Sequence, residues 1–276
     1  MITKIIKRNG AIVDFRQEKI TNAIWKALKA TGERDRSVSS QISDRVMLEL
    51  EKNFSEEHPP TIEQIQDFVE SVLMSSNLAK PAKAYILYRQ YRSELRREKK
   101  LVLEKTEIDE VDKQFDINSL RVLKSRYLRK DENGKLIESP KELFSRVSTH
   151  AFIPNLLYHL DVYNKNGGEK INPESELDEV ENENKYHVGK FKLNRYHLRA
   201  LKKVYNDFNK LGKMKVDWNS FLTLLKTGHF SSMEKELLDF YKLMVEKRFL
   251  PNTPAIANFG SLLGMGSACF VLGVKD

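Results

Sequence analysis

Apolar positions along this chain change their spacing several times, and each change marks an element. Alternation over residues 2–8 and 11–15, on either side of Asn9-Gly10, predicts two short strands joined by a tight two-residue turn, because Asn and Gly both tolerate positive φ. Over residues 17–29, Ile20, Ala23, Ile24, Ala27 and Leu28 recur at intervals of three and four, the pattern of an amphipathic helix, and a second helix is predicted over residues 38–53. Pro59-Pro60 interrupts the pattern. Thr61 followed by Gln64 then reads as a capping box ahead of Ile62, Ile65, Phe68, Val69, Val72 and Leu73, which predicts a third helix. Pro81 suits the first turn of a fourth, carrying Ala84, Tyr85, Tyr88 and Tyr91. A hairpin and four helices thus form one compact unit of about 95 residues.

The next 150 or so residues read as mainly helical and less regular. Asp131-Glu-Asn-Gly134 is a turn, and Ser139-Pro140-Lys141-Glu142 opens a helix with Ser139 as cap, Pro140 at its first position and Glu142 closing the box. Residues 164–184 are rich in Asn, Gly and Glu with few large apolar side chains, the composition of a mobile surface loop. Helical periodicity returns over residues 194–211 and 231–247. Beyond Phe249 the texture changes to prolines and glycines, ending in a strand-like Ala268-Cys-Phe-Val-Leu272.

With 276 residues, 40% hydrophobic and 31% charged, the chain is long enough for two globular domains. No run of about 18 uncharged apolar residues occurs, which excludes a membrane-spanning helix. Charge interrupts the N-terminus before a signal-peptide core could form, so the cytoplasm is the expected location. One cysteine, Cys269, excludes an internal disulfide framework, and with six scattered histidines it argues against a Cys/His zinc site. The net charge of +8 favours anionic partners; residues 1–100 hold 19 Lys and Arg against 14 Asp and Glu. The densest basic stretch, Arg89 to Lys105, interleaves Arg92, Arg96, Arg97, Lys99 and Lys100 with Glu94, Glu98 and Glu104, which reads as a solvated helix face rather than a nucleic-acid patch.

Lys7 and Arg8 beside the turn and Lys19 in the first turn of the next helix are candidate polyphosphate contacts. Surface cations at a hairpin are also commonly just solvated. The order of Ile6-Lys-Arg-Asn-Gly10, Val13-Asp-Phe15, Glu18-Lys-Ile20, Thr61-Ile-Glu-Gln-Ile-Gln-Asp67 and Ala82-Lys-Ala-Tyr-Ile-Leu-Tyr-Arg89 resembles the ATP-cone, a regulatory nucleotide-binding module of ribonucleotide reductases. The resemblance implies ATP and dATP as allosteric effectors and Lys7, Arg8, Lys19 and Thr61 as their contacts, with Lys83 and Arg89 as further candidates. Thr61 reads equally well as a pure helix cap, and Lys83 and Arg89 as water-facing side chains.

Two downstream stretches carry a second resemblance. Residues 118–146 look like the helical N-terminal region of the ribonucleotide reductase large chain, and Phe249-Leu-Pro-Asn-Thr-Pro254, Ala257-Asn-Phe-Gly260 and Leu263-Gly-Met-Gly-Ser-Ala-Cys-Phe-Val-Leu272 look like the start of its catalytic barrel. By chemistry alone Cys269 is a thiol in an apolar strand, ordinarily buried and inert. The resemblance instead makes it one half of the catalytic pair that becomes a disulfide as the ribose 2′-hydroxyl leaves. Thr253 and Ala268 match substrate-binding positions, and Asp276 matches by spacing a residue of the specificity-effector site. The second cysteine of the pair and the cysteine that carries the radical do not occur in this sequence.

The fold expected is therefore mainly α (α+β): an ATP-cone of short hairpin and four-helix bundle over residues 1–95, a helical domain over 96–248, and over 249–276 the start, ending at the first strand, of an incomplete ten-stranded α/β barrel. The function implied is the N-terminal part of a ribonucleoside-diphosphate reductase, inactive until a second chain or segment supplies the barrel, whether through a split gene, a truncation or an intein. The wording of the helical region is closer to the adenosylcobalamin-dependent branch, and a thioredoxin-like reductant and an oligomeric assembly are implied for the complete enzyme. The rival readings are a stand-alone ATP/dATP-sensing module, which in its repressor form would need a four-cysteine zinc ribbon, and a basic nucleic-acid-binding protein.

Overall fold

The computed structural model describes residues 2–171 and 185–267, and the chain forms two compact units, Met1–Lys100 and Leu101–Asp276. In the first, strands β1 (Lys4–Ile6) and β2 (Ile12–Asp14) pair antiparallel with Ile5 opposite Val13. Their connection is longer than the two-residue turn expected. The Gly10 N–H donates to the Lys7 carbonyl at 2.9 Å, and the Ala11 N–H donates to Asn9 Oδ1 at 3.2 Å. Within this four-residue turn only Gly10 takes a positive φ, 78°. The Asn9 side chain supplies an acceptor that a tighter turn would draw from the backbone, so glycine alone has to enter the left-handed region.

Four helices follow: α1 (Gln17–Ala30), α2 (Ser37–Asn53), α3 (Ile62–Ser75) and α4 (Ala79–Leu103). The periodic positions read from the sequence meet in one core, where Ile24, Leu28, Val46, Leu50, Val69 and Leu73 are almost fully buried. The capping box of α3 forms as expected. Thr61 Oγ1 accepts from the Gln64 N–H (3.2 Å) while Gln64 Oε1 accepts from the Thr61 N–H (2.9 Å). The same corner is fastened to the sheet, because the Ile6 N–H donates to the Pro60 carbonyl (2.9 Å) and Ile6 bridges Thr61 in parallel. The residue that starts α3 therefore also fixes the end of β1.

The second unit contains α5 (Glu110–Gln114), α6 (Ile117–Arg126), α7 (Pro140–Phe152), the short hairpin β3 (His187–Val188) and β4 (Phe191–Lys192), α8 (Arg195–Lys210), α9 (Trp218–Lys226), α10 (Glu234–Val245) and α11 (Thr253–Asn258). Its described residues form two apolar clusters, one around Phe152, Leu156, Tyr205, Phe221 and Phe230, the other around Leu120, Leu143, Phe144, Met244 and Ile256. Ser139 and Glu142 form the expected box on α7. The β3–β4 hairpin and α9 arise where the apolar spacing suggested no element; α9 is fixed by Asp217, whose side chain accepts from the Ser220 N–H at 2.9 Å. Thr253 opens α11, because Asn252 Oδ1 accepts from the Ala255 N–H (3.1 Å) and Pro254 has its φ set for a first helical turn. Nor are residues 164–171 loose: the Asn164 N–H donates to the Lys213 carbonyl (2.8 Å), and the Asn209 side chain bonds both the N–H and the carbonyl of Ile171 at 3.0 Å. Residues 172–184, the rest of the segment read as a mobile loop, and 268–276, which hold the expected barrel strand, lie outside the described residues.

A buried polar cluster joins α7, α8 and the chain around α11. Arg146 Nε pairs with Glu138 Oε1 at 2.6 Å, and Arg146 Nη1 donates to the Phe259 carbonyl. His197 bonds the Arg146 carbonyl through Nε2 (3.0 Å) and the Asn194 N–H through Nδ1 (3.1 Å), and Asn194 Nδ2 donates to the Gly260 carbonyl (3.0 Å). A carbonyl can only accept and an amide N–H can only donate, so His197 is the neutral Nε2–H tautomer. Burial, reinforced by nearby His150 and Arg146, pushes its pKa down to about 3. Gly260 has a φ of 66°, and a Cβ there would lie 2.4 Å from His197 Nε2, so no other residue fits.

The unfolded chain gains a proton on His197 near the ordinary histidine pKa while the folded chain resists it, so stability is complete above that value and is lost as pH falls toward 3. On a Trp25→Phe background, where Trp218 reports on the second unit, urea unfolding should lose up to about 1.4 kcal/mol per pH unit over that window, and His197→Gln should flatten the slope.

Candidate functional site

The first unit contains a cleft of about 370 Å³ whose walls come from four elements. The β1–β2 turn contributes Arg8; α1 contributes Lys19, Asn22, Ala23 and Lys26; α3 contributes Gln66; and α4 contributes Tyr85, Tyr88, Arg89, Arg92 and Arg96. Six of these eleven residues are cationic and none is acidic. Helical spacing explains how the charges share a face: residues 85, 88, 89, 92 and 96 fall on one stripe of α4, and residues 19, 22, 23 and 26 on one stripe of α1.

Two of the cations are held in place from behind by α3. Arg8 Nε pairs with Glu63 Oε1 (2.6 Å) and its Nη2 donates to Gln66 Oε1 (3.3 Å). Arg89 Nη1 reaches both Asp67 (2.6 Å) and Glu70 (2.8 Å). Burial opposes the charge on Arg89, but the bonds to Glu70 and Asp67 outweigh it and raise its pKa. Lys19, Lys26, Arg92 and Arg96 have no hydrogen-bonding or ion-pair partner among the described residues. Arg96 shows the consequence: burial and then repulsion from Arg8 and Arg92 hold it below the usual guanidinium range. Beneath these charges Tyr85 is buried and its phenol pushed up to about 12 by desolvation, so it is neutral and able to donate. Clustered cations with uncompensated charge, two tyrosine rings and two side-chain amides suit a polyanion that also carries a planar, hydrogen-bonding group.

Of the residues singled out from the sequence, Arg8, Lys19 and Arg89 line this cleft. Lys7 and Lys83 are exposed and do not; Lys83 lies two residues before Tyr85, on the far side of α4. Thr61 is also absent from the lining, and its hydroxyl is occupied by the cap of α3. Arg92 and Arg96 escape the sequence reading because the acidic residues beside them give α4 the look of a mixed-sign solvated face, and Lys26 lies on α1, where that reading names only Lys19. Sorting α4 by helical face would have separated the cationic stripe from Glu94 and Glu98. In the second unit, Thr253 Oγ1 lies 3.2 Å from Tyr127 Oη. Cys269, Ala268 and Asp276 lie outside the described residues.

The family comparisons divide the chain in the same order. Residues 3–94 match the ATP cone domain, and residues 113–264 match the all-alpha domain of ribonucleotide reductase. The chain belongs to the ribonucleotide reductase family. It is 33% identical to the vitamin B12-dependent ribonucleoside-diphosphate reductase of Thermoplasma acidophilum, a match that covers all of this chain and 34% of that protein. It is 32% identical over 143 residues to the enzyme of the same description from Mycobacterium tuberculosis, covering 52% of this chain and 19% of the relative. Against the ribonucleoside-diphosphate reductase subunit alpha of Chlamydia pneumoniae it is 37% identical over 97 residues, 32% of this chain and 9% of the relative. The chain thus spans about a third or less of the length of these relatives. Among the described residues of this family member, no helix is long and apolar enough to cross a membrane.

Substitutions can separate the cleft lining from the scaffold behind it. Arg92→Ala and Arg96→Ala should each weaken ATP binding about 10- to 100-fold, the worth of a charge-assisted hydrogen bond, with little change in the melting temperature of the unliganded chain. Thr61→Ala should do the reverse, costing about 1 kcal/mol of stability while leaving ATP affinity unchanged. Calorimetry and thermal unfolding on the same samples check both.

Proposed function

We propose that this chain is the N-terminal regulatory and helical part of an adenosylcobalamin-dependent ribonucleoside-diphosphate reductase, with ATP and dATP binding in the cationic cleft of its cone as allosteric effectors. The observation that carries the reading is that cleft: six cations and no lining acid, five of the cations within the residues that match the ATP cone domain and Arg96 just beyond them. Lys19, Lys26, Arg92 and Arg96 face the phosphates, while Arg8 and Arg89, anchored to α3, shape the wall. Tyr85 and Tyr88 offer their rings to the base. Lys7, Lys83 and Thr61, the other candidates from the sequence, act at most from outside the cleft lining.

In this reading residues 1–95 are the cone, 96–248 the helical domain and 249–276 the start of the catalytic barrel. Thr253 and Ala268 contact the substrate, Cys269 supplies one thiol of the reducing pair, and Asp276 belongs to the specificity-effector site. The partner thiol and the radical-carrying cysteine come from a further chain or segment, since this sequence holds a single cysteine. Adenosylcobalamin, which would supply the radical, enters with that segment. A thioredoxin-like protein would reduce the disulfide again, and the working enzyme is an oligomer in the cytoplasm.

The test combines this chain with the barrel-bearing segment, adenosylcobalamin and a dithiol reductant, and measures deoxynucleotide formation. Activity should require both parts, change with added ATP or dATP, and vanish with Cys269→Ser. Activity that survives Cys269→Ser removes that residue from its role, and failure of ATP and dATP to bind at millimolar concentration removes the cone from its own.

A further inference from the structure

In the second unit, away from any residue assigned above, three potential metal ligands converge: His159, Asp161 and His229, with one donor atom from each lying within 4.8 Å of the others. His229 Nε2 is 2.9 Å from Asp161 Oδ2, and His159 Nδ1 is 3.6 Å from the same oxygen. Two ligand atoms on one tetrahedral zinc ion, each at about 2.0–2.1 Å from it, are about 3.4 Å apart. The two measured separations bracket that value.

The hydrogen bonding around His159 fixes its tautomer. The Asp161 N–H donates to His159 Nδ1 at 3.3 Å, so Nδ1 carries a lone pair and no proton. In the metal-free chain that lone pair is held by the N–H, with Asp161 Oδ2 3.6 Å from the same nitrogen, and an incoming cation has to replace this long N–H contact with coordination.

The ligands are also held before any metal arrives. Phe230, with 0% exposure, packs beneath both imidazoles, its ring centroid 5.3 Å from each and nearly perpendicular to both. The His159 carbonyl accepts from the N–H groups of Val162 and Tyr163 (both 2.8 Å), which closes the turn that carries Asp161. His229 follows Gly228, whose φ of 77° starts a 3-10 turn (His229–Met233). Two imidazoles and one carboxylate are a donor set suited to zinc and neighbouring late first-row ions.

We propose that His159, Asp161 and His229 bind one zinc ion, with water completing the coordination, and that the ion staples the turn at residues 159–163 to the turn at residues 228–233. The experiment titrates zinc into the full chain, free of any affinity tag, by calorimetry, and records the visible spectrum with cobalt as a substitute ion. One zinc per chain should bind, the cobalt spectrum should show the intense bands of a four-coordinate site, and zinc should raise the melting temperature. His229→Ala and His159→Ala should each weaken zinc binding about tenfold or more and abolish the cobalt bands, with far-UV circular dichroism confirming that they fold. If either fails to fold, Asp161→Asn, a change at an exposed position, decides in its place. No zinc uptake, or uptake undiminished in the variants and therefore owed to other residues, overturns the proposal.

Discussion

Six cationic side chains converge on one cleft of the first unit, and cations this close repel one another unless something negative lies between them. The fold answers only part of that repulsion. Glu63, Asp67 and Glu70 on α3 take up Arg8 and Arg89, and in doing so tie the hairpin turn and α4 to α3. This geometry depends on the corner at Thr61, where a capped helix start is also bridged to β1 and so carries Arg8 over the first turns of α3. The remaining four cations stay uncompensated, with Arg96 pressed below its usual range. A ligand that completes the arrangement must bring several negative charges, which is why the cleft suits a nucleoside triphosphate and offers much less to a nucleoside.

The second unit treats buried polarity in the opposite way. Glu138, Arg146, His197, Asn194 and the carbonyls of Phe259 and Gly260 satisfy one another within the protein, and burial among them holds the pKa of His197 low. Arg146 and Asn194 grip the chain just after α11, and Asn252 caps the start of the same helix. The position of Thr253 is therefore set from both ends of α11, with Tyr127 beside its hydroxyl. A cluster without free valence holds a segment in place; a cleft with excess charge waits for a partner.

Much of the first unit was legible because its signals are local. The hairpin, the four helices and the box at Thr61 each depend on residues within about one turn of one another, and the periodic positions became the core. The cleft was only half legible. Arg8, Lys19 and Arg89 sit beside recognisable landmarks, whereas Lys26, Arg92 and Arg96 become neighbours only when α1 and α4 pack, a fact of tertiary structure that spacing along one helix does not contain. In the second unit the missed elements, β3, β4 and α9, are short: α9 begins at the Asp217 cap, and the two strands carry Val188 and Phe191 into the aromatic cluster around Phe221 and Phe230 without a repeat long enough to show in the chain. The triad of His159, Asp161 and His229 spans about 70 residues, with no motif to announce it.

The unbalanced charge of the cleft also fixes how salt must act on the first unit. Without nucleotide, the dominant electrostatic effect in the cleft is repulsion among cations, so added salt, which screens charges over about 8–10 Å at moderate ionic strength, relieves it and raises stability. With nucleotide bound, the dominant effect is attraction between those cations and the phosphates, and the same salt weakens it. Thermal unfolding should therefore show a melting temperature that rises with salt in the free chain and falls with salt in the ATP-bound chain at fixed nucleotide concentration, the two curves converging. A neutral or internally compensated pocket would give parallel curves. Crossing of slopes thus reports directly on whether the charge of Lys19, Lys26, Arg92 and Arg96 is answered by the ligand rather than by the protein.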